Sequence, residues 1–444
     1  MTSSHTATRL GYWFSLLVSV LDPRSAPRLA QLFLGAILAR GRRTVTSWIR
    51  AVGLGREFRP CYTTVSAAGR RADGIAARLV HEVLKPIFSR IDRLVFAIDD
   101  TPTPRYGPQV QGAGVHHNPT PGPAGSPFVY GHVWVVLGLL MAHPAWGVIA
   151  LPVLARLYVR QKDLGTIEQR HRPAFQTKLA LAVELMQWAQ CWLGVLGKPL
   201  WVVADGAYAK AAFLKPLIAR GVVVVSRLRK DAALWRLPGP RPAGKRGPDR
   251  TYGEQRIELA KRAAQTRGWQ TETFELYGQP AVKRYKTFLA TWRPVGGAIR
   301  VVLVDEPTGW VAFFCTDQRA SVADILGLVA DRFSLETCFR DVKDVVGAGQ
   351  QQVRHVWASV GSFHVCLWAF TLTEAWAWEQ DEDALVAHRR ESPWDEKPRR
   401  PSHADKRRAL RRELLAQEID AVLRNGTHNE EIRDLAERLL ALAA

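Results

Sequence analysis

Cysteine is sparse in this chain and never clustered. Five residues in 444, Cys61, Cys191, Cys315, Cys338 and Cys366, are odd in number and widely scattered. With no Cys-x-x-Cys pair, neither a zinc site nor a disulfide framework is suggested, and reduced thiols in a reducing compartment are the simpler reading. Acidic residues are the second shortage: 41 Asp and Glu stand against 61 Lys and Arg, a formal charge of +20. Such a field draws polyanions, and nucleic acid, a ribosomal surface and an anionic membrane all fit the sign. A clean membrane-length apolar run is lacking too. Residues 11–21 (GYWFSLLVSVL) are short and are followed by Asp22-Pro23-Arg24 rather than a small-residue cleavage site, so they read as a buried first helix. Residues 133–154 are long enough to cross a bilayer, but His143-Pro144-Ala145-Trp146-Gly147 at their centre is turn chemistry, so a buried β-hairpin is expected there. No internal repeat is present, and no membrane span is expected.

What is present is an ordinary globular composition, close to half hydrophobic, with room for two or three domains. Helical spacing of apolar residues marks 28–39 and 79–88. Between them Thr44 stands as a candidate N-cap before a short helix ended by Gly53. Helix, basic turn and short helix fit a DNA-contacting helix-turn-helix and fit equally a helical subdomain with solvated basic residues. A strand at 93–99 precedes a Gly/Pro/His-rich loop over 101–127. The expected hairpin, a helix at 173–194, a strand at 199–204, a helix at 207–219 and a strand at 221–226 follow, a βα pattern. The division expected is a helical region over 1–90, core over 91–226, a β-rich insertion over 227–308, core again over 309–378, and a charged helical tail over 379–444. The tail run KPRRPSHADKRRALRREL could touch DNA or a second subunit, or be solvated.

Three acids stand at informative places. Asp99 and Asp205 end predicted strands, and Glu336 lies in an amphipathic helix within 321–346. Strand ends open into the crevice of an α/β sheet, where carboxylates can hold hard cations such as Mg²⁺. Two such ions are the usual device for phosphodiester cleavage. Arg332, Glu336 and Lys343 fall along one side of the helix with Arg340 nearby, and Leu335, Phe339, Val342 and Val346 along another. An exposed helix with intrahelical Arg–Glu pairs has the same spacing. His116-His117 in the loop have no Cys or carboxylate at ligand spacing, so with His132 they read as structural or as neighbours of a bound polyanion.

These blocks together resemble the insertion-sequence DDE transposases that carry a Tyr-x₂-Arg-x₃-Glu-x₆-Lys signature. Arg332-x₃-Glu336-x₆-Lys343 within DRFSLETCFRDVK matches three of its four positions, with Val329 where the family has Tyr. FAIDDTP resembles the first-acid strand, with Asp99 followed two residues later by Thr101 and Asp100 as the alternative. WVVADGAYAK, with Asp205 before Gly206 and Tyr208, resembles the second block. The likeness covers about 90–375. It implies an α/β, ribonuclease-H-like mixed sheet with flanking helices, a β-rich insertion and a helical N-terminal region. It also implies Asp99, Asp205 and Glu336 as catalytic metal ligands for two Mg²⁺ ions, with Mn²⁺ as a substitute. DNA is the implied partner, both element terminal inverted repeats and target, bound by a homodimer in the cytoplasm at the nucleoid. Arg332, Arg340 and Lys343, with Arg227, Arg229 and Lys230 in the stretch after the strand at 221–226, are the expected phosphate contacts. In related enzymes a flipped base stacks on an insertion Trp, for which Trp269, Trp292 and Trp310 are candidates, each also readable as a core aromatic. A catalytically silent DNA-binding descendant and a nuclease that does not join strands remain alternatives.

Overall fold

The computed structural model describes residues 4–118, 125–241, 247–391, 393–394 and 399–424. The centre of the 101–127 loop, part of the basic stretch after 226, most of the Pro-rich break near 395 and the end of the tail lie outside the described residues.

The strands are β1 (Leu94–Pro104), β2 (Gly114–His117), β3 (Phe128–His143), β4 (Gly147–Tyr158), β5 (Leu200–Ala204) and β6 (Val223–Leu228). After them come β7 (Leu234–Trp235), β8 (Arg256–Ile257), β9 (Gln270–Leu276), β10 (Gln279–Trp292), β11 (Gly297–Asp305) and β12 (Val311–Cys315). All belong to one sheet. The hairpin β3–β4 turns at the His-Pro-Ala-Trp segment as expected, and β3 lies antiparallel to β1. Strands β5 and β6 run parallel to β1. Three antiparallel strands followed by two parallel ones, in the order β4-β3-β1-β5-β6, with helices on the faces, make the chain a ribonuclease-H-like α/β protein. Beyond β6 the same sheet continues through β12, β11 and β10, with β9 on the far part of β10.

Strand β1 runs past the acids to Pro104, so Asp99 lies within a strand and not at its end. The reason is one-sided pairing. Parallel pairing to β5 stops at Ile98, whereas β3 continues beside β1 to Pro104. Arg105 donates its backbone N–H to Tyr130, so Thr101 and Thr103 in the same alternation also face β3. Pro102 and Pro104 therefore point their missing donors at the side β5 has left, where no ladder bond is lost.

Helix Val356–Ala377 explains how the edge strand β4 is closed. It is long and apolar enough to cross a membrane, yet it is buried nearly all round within this structure. Its side chains complete the backbone of β4: Trp368 donates to Val153, Thr371 to Pro152, and His364 Nε2 accepts from Ala155 N–H. The His364 Nδ1–H therefore points at Val360 O, and burial pushes the imidazole pKa down to about 4, keeping this acceptor neutral. A covered edge cannot template pairing with another chain. Phe363 stacks on Trp134 of β3 at 4.1 Å and 3° between planes, and Trp134 donates to Thr103. Helix Phe58–Arg70 crosses the same helix so closely that a Cβ at Gly361 would stand 1.8 Å from the Val65 carbonyl oxygen.

Two of the expected helix signals are realised as read. Thr44 caps helix Val45–Ala51 by accepting from Ser47 N–H. The 321–346 region is two helices, Val322–Asp331 and Phe333–Asp344, meeting at Arg332, the first opened by a Ser321–Asp324 capping box. Leu335, Phe339, Val342 and Val346 are buried against the sheet.

Candidate active site

Register decides which acids can meet. Ile98 of β1 lies opposite Ala204 of β5, and Ala204 opposite Ser226 of β6. One residue further on, Asp99, Asp205 and Arg227 therefore stand side by side on one face. Ala97 and Gly138 lie on that face too, and Leu335 packs directly over Gly138. Helix Phe333–Asp344 is thereby laid across the face that carries Asp99 and Asp205, bringing Glu336 to them.

Arg332 ties the group together. Its guanidinium donates to Asp99 Oδ2 at 2.5 Å and to Glu336 Oε1 at 2.8 Å. Burial pushes the Asp99 carboxyl up to about 6; Arg332 and the Asp100 N–H oppose the rise, and the neighbouring charges of Asp100 and Asp205 add to it. Asp205 accepts from Ala207 N–H, and Ser226 Oγ donates to the Asp205 carbonyl, which fixes the loop after β5. Next to Arg332, burial alone also pushes Asp331 up to about 6.

Asp100 points to the opposite face. There it accepts from Lys178 at 2.6 Å and from the Tyr208 hydroxyl at 3.2 Å. Burial first, then Asp100 and Asp99, push the Tyr208 phenol far up, so it stays a donor. Asp100 is thus committed to a structural pair, whereas Asp99 faces the helix that bears Glu336. Lys178 and its role were not legible, because 78 residues separate it from Asp100.

The other expected site residues fall in three groups. Arg340 is exposed beside Asp341, and Lys343 is partly buried one turn on, where burial lowers its pKa. Arg227 is exposed on β6 beside Asp205. Arg229 pairs with Asp231, and Lys230 lies over the Trp310 ring at 5.1 Å, so both have partners within the chain. Of the three tryptophans, Trp292 is core against Phe314, and Trp269 lies under Arg284 and Lys286. Exposed aromatics instead lie beside Arg332: Phe333, next in sequence, and Tyr277 at the β9–β10 turn, in edge contact with Phe333 at 6.0 Å. His132 is buried, accepting at Nδ1 from Arg105 and donating from Nε2 to Gln111, and His116 is buried in β2; neither is part of the acid cluster.

Among the described residues no three His, Cys, Asp or Glu side chains stand close enough to hold a metal ion as they are. The donor set still suits a hard cation: carboxylates on one face, two of them already neutralised by a single positive group lying between them.

The fold and the acids define a ribonuclease-H-like protein with carboxylates gathered on one face of its central sheet. The model of the DDE superfamily endonuclease family matches residues 17–293, more than half of the chain, and the protein belongs to that family. The match includes Asp99 and Asp205 and ends before Glu336, whose placement rests on the packing just described. No curated protein matches the chain.

Proposed function

We propose that this endonuclease is a transposase, cutting DNA at the ends of its element and joining the freed 3′-hydroxyl to target DNA, with Asp99, Asp205 and Glu336 as the metal-binding acids. The observation that supports it most is the shared sheet face of Asp99 and Asp205, joined to Glu336 through Arg332. Bound Mg²⁺, with Mn²⁺ as substitute, supplies activation of the attacking oxygen and stabilisation of the leaving one.

The chain's own residues do the rest. Asp99, held in a half-desolvated position, and Asp205, fixed by the loop after β5, present carboxylates from a rigid sheet, and Glu336 adds the third from a packed helix. Arg332, once released from the two acids, has a planar fork suited to a phosphate next to the scissile one. Arg227 beside Asp205, with Arg340 and Lys343 along the helix, lines the approach for the DNA backbone. Arg229 and Lys230 are weaker candidates, given their internal partners. Two ends brought together on one complex call for two subunits, so the working unit on DNA is a homodimer, acting at the nucleoid.

Supercoiled DNA bearing the element's flanking ends, incubated with Mg²⁺, tests this reading. Wild type is expected to cut at the ends and form joined products, and Glu336→Ala to bind without cutting. Cutting without joining would make the protein a plain nuclease. Undiminished cutting by Glu336→Ala would remove Glu336 from the site.

A further inference from the structure

Away from the acids, the structure gathers arginines, among which Arg42, Arg43, Arg407, Arg408 and Arg412 pair with no carboxylate among the described residues. Arg43 sits against the end of the catalytic helix: its side chain packs on Gly347, its Nη1 reaches Asp344 O, and its backbone is bracketed by Gln350 and Gln351. Arg407, on the C-terminal helix His403–Arg424, donates to the carbonyls of Ala36 and Ala39 at the end of helix Ala26–Leu38. Those contacts dock the 39–44 loop and the C-terminal helix together.

Charge accumulates where they meet. Burial first, then the neighbouring cations Arg43 and Arg411, lower the Arg407 guanidinium to about 9. Arg40, Arg43 and Arg408 in turn act on Arg411. Arg407 is 6 % exposed, and its Nε and that of Arg43 have no hydrogen-bond acceptor among the described residues. Above this buried layer Arg42, Arg408 and Arg412 are exposed. Arg408 and Arg412 are one helical turn apart and so lie on one face. Like charges held this close raise the free energy of the free protein, and a polyanion laid across them relieves it.

We infer that the 39–44 loop and the first turns of the C-terminal helix form a backbone-binding cradle for duplex DNA, with Arg42, Arg408 and Arg412 as the phosphate contacts. Its position is continuous with the acid site. From Glu336 to Asp344 the helix rises about 12 Å at roughly 1.5 Å per residue. That spans about three to four base steps of about 3.4 Å. Arg340 and Lys343 lie along the way. The location relative to cleavage rests on the proposed catalytic reading, whereas the binding itself does not.

The test is fluorescence anisotropy of a 30-base-pair duplex in EDTA across a salt series, which needs no catalysis. The variant Arg42→Ala/Arg408→Ala/Arg412→Ala is compared with wild type and with Arg90→Ala/Arg267→Ala/Arg319→Ala, exposed positions that remove equal charge elsewhere. Each lost phosphate contact lowers the slope of log affinity against log salt by about 0.9. The cradle variant is therefore expected to lose about two to three units of slope and to bind at least tenfold more weakly at low salt. The control is expected to keep the wild-type slope, and both variants the wild-type melting temperature. Equal slopes for cradle variant and wild type, or equal losses in cradle and control variants, would overturn the inference. A Glu336→Ala protein that still cuts would overturn the catalytic reading and leave this slope difference standing.

Discussion

At the scale of single residues, Arg332 is a positive charge lodged between two acids that a divalent ion would need. Removing it takes away the group that competes for Asp99 and Glu336. Arg332→Ala is expected to bind Mn²⁺ about tenfold more tightly, read by electron paramagnetic resonance, an effect of about 1.4 kcal/mol. Its DNA cleavage is expected to fall about a hundredfold, the scale of loss when one preorganised hydrogen-bond donor at an active site is removed, because the phosphate next to the scissile one loses its guanidinium partner. Weaker Mn²⁺ binding would show that Arg332 assembles the acids and does not compete for them. Asp99 and Asp100 separate just as sharply. Asp99→Asn is expected to abolish cleavage with little loss of stability. Asp100→Asn is expected to keep most cleavage and lower stability by about 1–3 kcal/mol, because Lys178 loses its counter-charge and only one of the two acceptor oxygens shared by Lys178 and Tyr208 remains. Reversed outcomes in cleavage and denaturant titration would move the metal ligand to Asp100. This division was half legible. The two adjacent acids and Thr101 stand in the sequence, but which one meets the helix depends on the parity of β1 against β5. That parity is fixed by pairing across about a hundred residues.

At the scale of elements, patterns that repeat locally were readable and contacts that close at long range were not. The apolar stripe of the Glu336 helix, the Thr44 cap and the turn inside 133–154 are all carried by neighbours in sequence. Glu374 shows the opposite case. It is the sole carboxylate in the apolar helix Val356–Ala377, 2 % exposed, and it accepts from His403 at 2.7 Å and Lys406 at 2.6 Å on the C-terminal helix. The charged run expected to be a tail is by this means rooted in the core. Burial opposes the Glu374 charge, but Lys406 and His403 outweigh it and hold the carboxyl down at about 2, below its ordinary value of 4.5. A depressed folded-state pKa contributes stability that is present above about 4.5 and is lost as pH falls toward 2. Wild type is thus expected to lose stability over that window. Glu374→Gln is expected to be destabilised by about 3–5 kcal/mol at neutral pH, with Lys406 left buried and unpaired, and to show a flatter acid limb. A melting series from pH 7 to pH 2 reads both effects, and parallel curves for the two proteins would refute the assignment.

At the scale of the whole molecule, the strands between Asp205 and Glu336 continue the central sheet, with β12 paired directly to β6. A segment of residues 227–308 alone would lack β12, the sheet neighbour of its β11, and with it the link to β6. Expressed separately, it is expected to show no cooperative thermal transition by circular dichroism. A sharp melt for the fragment would mean that its strands fold without the sheet. The surplus of basic residues was plain from composition. Where it concentrates was not, because the 39–44 loop and the C-terminal helix lie at opposite ends of the chain.

The tight crossing of Gly69 and Gly361 also sets a clock on synthesis. Helix Phe58–Arg70 leaves the ribosome some 290 residues ahead of the helix it packs against. At about 5–20 residues per second this is a wait of roughly 15–60 s. Throughout that interval the buried side of the early helix, Cys61, Val65 and Ala68 among it, lacks its principal partner and has only the neighbouring helices Ala26–Leu38 and Val45–Ala51 to pack on. A newborn copy of this protein therefore carries that half-covered face through the whole interval, a surface for whatever shields nascent chains in its cell.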